Sequence, residues 1–122
     1  MGIIQAVTFD GYGTLLELDH PFDTLLKLLA KKGIFSDSNT IKAAFRAEMA
    51  YYRDHHLEGS TPERLHELRL RCADVLFSEL HDRGIRAELG CEDRCGVLMA
   101  AIRFRAFHDW DEAIATCRRE GL

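Results

Sequence analysis

A chain of 122 residues is long enough for one ordinary domain and short for two. Apolar residues make up 47% and charged residues 30%, the balance of a globular protein, and a net charge of −4 excludes the basic face of a general nucleic-acid binder. No apolar run approaches the ~20 residues that cross a bilayer, and Met1-Gly2-Ile3-Ile4-Gln5 lacks the basic start and cleavage site of a signal peptide. A cytoplasmic protein with no membrane and no nucleic-acid partner is expected.

The mostly apolar run Ile3 to Phe9 predicts a buried strand that ends on the carboxylate of Asp10. Gly11, Tyr12, Gly13 and Thr14 form a loop whose glycines allow positive φ or the close approach of a ligand. A lone carboxylate at the C-terminal end of a buried strand is where α/β sheets place reactive groups. Everything after this loop reads as helix. Pro21 suits a first helical position, Phe22, Leu25, Leu26 and Leu29 recur at helical spacing, and Lys31-Lys32-Gly33 closes the element. Ser36-Asp37-Ser38-Asn39 supplies the next cap, before a stripe of Ile41, Ala44, Phe45, Met49 and Tyr52 that ends near His55-His56.

Glu58-Gly59-Ser60 is a loop, Thr61 a cap and Pro62 the start of a long helix. Its stripe is Leu65, Leu68, Cys72, Val75, Leu76 and Leu80, with Arg83-Gly84 as its stop. A further helix is expected from Glu92 to Phe107, and a last one after a capping box formed by Asp109 and Glu112. Arg69/Arg71 and Arg103/Arg105 alternate with apolar residues and read as solvent-facing. Cys72, Cys91, Cys95 and Cys117 are expected to be free thiols. Cys91 and Cys95 lie one helical turn apart, but a zinc set would have to recruit His55, His56 or His66. The lysines, Lys27, Lys31, Lys32 and Lys42, all fall in the first two helices.

The sequence Asp10-Gly11-Tyr12-Gly13-Thr14-Leu15 after a hydrophobic strand resembles motif I of the haloacid dehalogenase-like hydrolases, in its Asp-x-Tyr-Gly-Thr-Leu form. The resemblance implies an α/β Rossmannoid core with an inserted α-helical cap. Residues 1–16 and 106–122 would belong to the core and 17–105 to the cap, leaving this chain mostly helical. The family's second core strand would follow Leu122, and its later Ser or Thr, Lys and acidic motifs cannot be assigned. The sequence therefore reads either as part of a longer enzyme or as a short protein that kept the cap.

The resemblance also implies chemistry. Asp10 would be the nucleophile, forming a covalent aspartyl intermediate that water hydrolyses. Backbone N–H groups of Gly11, Tyr12, Gly13 and Thr14 would hold a small anionic substrate. Family phosphatases carry a second Asp where this chain has Tyr12, as general acid and support for Mg²⁺. A phenol of ordinary pKa near ~10 does not fill that role. The Tyr form is familiar in 2-haloacid dehalogenases, whose halide leaves without a proton. Phe45-Arg46 sits about where those enzymes carry an aromatic-Arg pair, so that Arg46 would receive the substrate carboxylate or the halide with Tyr51-Tyr52-Arg53 adding aromatic walls; the alternative is a helix-surface Arg46 beside core Phe45. A phosphatase would hold Mg²⁺ through the Asp10 carboxylate and the Tyr12 backbone carbonyl; a dehalogenase would need no cofactor. The competing expectation is a non-catalytic helical module, and an unpaired Ile3–Phe9 edge predicts self-association into a homo-oligomer.

Overall fold

The computed structural model describes residues 3–8, 16–107 and 109–122. The chain is mostly helical, in the order β1 (Leu16–Leu18), α1 (Pro21–Lys31), α2 (Ser38–His55), a 3₁₀ turn (His56–Glu58), α3 (Pro62–Asp82), α4 (Cys91–Ala101), β2 (Phe104–Ala106) and α5 (Trp110–Arg119). It divides into two compact units. One joins Met1–Asp19 with Arg103–Leu122, and the other is His20–Ile102, inserted in sequence between β1 and β2.

The inserted unit contains α1 to α4. Each helix packs on its neighbour in sequence and α1 also packs on α4, which closes a ring around one core. Leu25 and Leu29 of α1, Ile41 and Phe45 of α2, Leu68, Leu76 and Leu80 of α3, and Leu98 of α4 are its largest fully buried side chains. Phe22 meets Phe45 edge to face, with ring centroids 5.6 Å apart. Local chemistry sets the helix ends. Asp37 caps α2 by accepting the Thr40 backbone N–H at 2.7 Å, and Thr61 caps α3 by accepting from Arg64 N–H at 3.2 Å. At the other ends, Gly33 (φ 77) and Gly84 (φ 89) take the left-handed conformation. Ile34 then donates back to Leu29 and Ile85 to Leu80, both at 2.9 Å, so orphan carbonyls are satisfied.

The terminal unit departs from the expected strand. Ile3 to Thr8 have no regular secondary structure and are exposed, Ile3 at 87% and Ile4 at 70%; Phe9 lies outside the described residues. A strand needs a neighbour for its backbone groups, and none runs beside residues 3–8 among the described residues. The strand pair forms instead between β1 and β2, antiparallel, with Leu16 opposite Ala106, Glu17 opposite Arg105 and Leu18 opposite Phe104. The helix expected to reach Phe107 therefore stops at Ala101. The alternation Arg103-Phe104-Arg105-Ala106 is the period of a strand, and the Arg105 Nε donates to Glu17 Oε1 across the pair at 2.6 Å. The expected capping box is not made either: the Asp109 side chain caps no backbone N–H of α5.

Candidate functional site

Asp10, Gly11, Tyr12, Gly13 and Thr14, the loop that carries the sequence argument, lie outside the described residues. So do the carboxylate and carbonyl proposed for Mg²⁺. Among the described residues there is no group of three His, Cys, Asp or Glu side chains arranged to hold a metal. Cys91 is exposed while Cys95, one turn on, is buried, and all four cysteines are free thiols.

Arg46 is described. It stands on α2 beside buried Phe45 and is itself exposed. Helical spacing puts it on one stripe with exposed Met49 and Arg53, about 200° around the axis from the residue two positions on. No carboxylate pairs with its guanidinium among the described residues. Tyr52 is about half exposed, while Tyr51 is engaged elsewhere. The Tyr51 ring stacks on His55 at 4.0 Å between centroids, and its hydroxyl accepts from Arg71 at 3.3 Å. Arg71 in turn holds Glu58 at 2.7 Å.

The apolar stripe expected on α2 also needs correction. Ile41, Ala44 and Phe45 are buried, but Met49 and Tyr52 are about half exposed, and the next buried position is Glu48, at 4% exposure. Positions 41, 44, 45 and 48 follow i, i+3, i+4, i+7, so Glu48 continues the core face. Cys72 is likewise buried, on the Leu68-Cys72-Leu76 stripe of α3, the helix that packs against α2. Burial pushes the Glu48 carboxyl from an ordinary 4.5 up to about 7. Burial, then the neighbouring Glu48 charge, pushes the Cys72 thiol up to about 12, so that thiol is inert while enclosed. Reading Glu48 as solvent-facing is the natural inference from its charge. The only signal against it was its spacing from Ile41 and Phe45.

A cleft of about 330 Å³ is lined by Phe77, Ser78, His81, Asp82, Ala87 and Arg94. The Arg94 guanidinium lies 5.5 Å from the Phe77 ring centroid, and its Nη1 is 3.5 Å from Asp74 Oδ1. Its buried Nε has no partner among the described residues. With Asp74 and Asp82 at hand the cleft carries no surplus of positive charge.

No helix among the described residues is long and apolar enough to cross a membrane. No family model, curated protein or solved structure matches the chain.

Proposed function

We propose that the chain is built on the plan of a haloacid dehalogenase-like hydrolase: an α/β core bearing Asp10, with the helical unit His20–Ile102 as its cap, working in the cytoplasm on a small anionic substrate. The observation that carries this reading is the dense run Asp10-Gly11-Tyr12-Gly13-Thr14-Leu15 directly after the hydrophobic residues Ile3 to Phe9. The insertion of a helical unit in the sequence shortly after that run is in keeping with it.

In the dehalogenase form, an Asp10 carboxylate oxygen attacks the carbon that bears the halogen. A C–O ester bond forms as the carbon–halogen bond breaks and halide departs with the electron pair; water then hydrolyses the ester and frees Asp10. Tyr12 favours this form, because halide needs no proton. Arg46, exposed and without a carboxylate partner among the described residues, suits a substrate carboxylate. In the phosphatase form Mg²⁺ would shield the phosphate charge, held by the Asp10 carboxylate and the Tyr12 carbonyl.

Two substrates separate these forms: halide release from 2-chloropropionate, and p-nitrophenyl phosphate hydrolysis with Mg²⁺. Turnover of either that is lost in Asp10→Ala supports the reading, and the substrate turned over selects the form. Undiminished turnover by the variant removes Asp10 from the chemistry. Arg46→Ala is expected to raise KM for the haloacid by about tenfold or more with a smaller change in kcat, since it removes a ground-state contact.

One observation favours a second reading, a non-catalytic helical module. Every side chain described as buried lies between Leu25 and Ala101, so the helical unit carries its own core. Phe35 at 73% and Leu57 at 83% exposure stand on its surface. For such a module, neither substrate is turned over, and sedimentation shows concentration-dependent association.

A further inference from the structure

We propose that the cleft between the C-terminal end of α3, the loop residue Ala87 and Arg94 of α4 binds a small zwitterion of free amino-acid size, its carboxylate on Arg94 and its ammonium on Asp82. Each of these two charges is poorly served by the fold. The Arg94 guanidinium reaches Asp74 at 3.5 Å, the long limit of a hydrogen bond. Its Nε is enclosed without an acceptor, and no other hydrogen bond leaves the guanidinium among the described residues. Asp82 is the last residue of α3, where a carboxylate opposes the helix dipole, and no cation pairs with it among the described residues.

Arg94 and Asp82 line the same cleft of about 330 Å³ yet form no ion pair with each other. The space between them suits a ligand that carries both signs. A simple anion would be repelled by Asp82 and a simple cation by Arg94, so only a zwitterion complements both walls. Phe77 and Ala87 supply the apolar lining for an aliphatic side chain, and the guanidinium stands over the Phe77 ring, 5.5 Å from its centroid. Ser78 and His81, three residues apart on α3, bring a hydroxyl and an imidazole to the same cleft. Packing by itself gives no reason for an arginine here, since an enclosed N–H without an acceptor weakens the fold. The site lies wholly within the helical unit and does not depend on Asp10.

The test is an amide NMR titration of the intact chain with L-leucine and with its two half-charged analogues, 4-methylpentanoate and 3-methylbutylamine. Expected are saturable shifts of the Ser78, His81 and Ala87 amides, with leucine bound about tenfold more tightly than either analogue. Asp82→Asn and Arg94→Met are each expected to weaken leucine by about tenfold, to the level of the analogues. Arg94→Met should also keep or raise the urea midpoint, because it removes the orphaned N–H and leaves an apolar stem on Phe77. A lowered midpoint assigns the guanidinium to the fold and overturns the proposal. So does the absence of saturable shifts with leucine. Equal affinity for 4-methylpentanoate, or leucine binding undiminished in Asp82→Asn, reduces the cleft to an anion site and overturns the zwitterion.

Discussion

Glu48 occupies a position on α2 where the core spacing asks for an apolar side chain, and that makes stability depend on pH in an uncommon direction. Its folded value lies above its ordinary 4.5, so its stabilising contribution is complete below pH 4.5 and is lost as pH rises through about 7. The loss is on the order of 3 kcal/mol. Asp37 works the other way. The Thr40 backbone N–H holds its carboxyl below the ordinary 3.8, so its contribution is present above that value and lost as pH falls through the depressed one. Urea midpoints measured across pH are therefore expected to peak near pH 5, where Asp37 is charged and Glu48 still neutral. Glu48→Gln should flatten the decline between about pH 5 and 7 and leave the acid limb unchanged. Thr61→Ala, which removes the cap hydrogen bond to Arg64, should lower stability by about 1 kcal/mol at every pH in the same assay.

Helix boundaries divide by the range of the chemistry that sets them. The stops at Gly33 and Gly84 are local, since a residue without Cβ is what a positive φ asks for, and both were legible in the sequence. Gly33→Ala is expected to cost about 1 kcal/mol, read as a lowered melting temperature, because a Cβ strains that conformation even with open space around it. The starts at Pro21 and Pro62 were legible for a similar reason. The end of α4 was not. Apolar residues run past Ala101, and only the pairing of Phe104–Ala106 with Leu16–Leu18, nearly ninety residues earlier in the chain, turns them into a strand. Ile3 to Thr8 show the converse: apolar composition invites a strand that has no pairing partner among the described residues.

Across the whole chain, burial is unevenly shared. The unit His20–Ile102 holds every side chain described as buried, from Leu25 to Ala101. A polypeptide of residues 20–102 is accordingly expected to fold alone, with strong helical circular dichroism and one cooperative urea transition. A non-cooperative loss of signal would show that its core depends on the rest of the chain. Within it, Leu76→Ala should cost about 2–5 kcal/mol, since Leu76 is fully buried on the helix that packs against both α2 and α3's other neighbour, α4.

The amino-acid sequence by itself determined the helical character, the caps at Asp37 and Thr61 and the glycine stops. Each of these rests on side-chain type and on spacing within a few residues, where local sterics and hydrogen bonding act. Only the tertiary structure decided that residues 104–106 form a strand and that Glu48 is buried on the core face of α2. Those outcomes depend on which distant element arrives alongside. A charged residue at a core spacing looks the same in sequence whether the opposing helix leaves it in water or buries it.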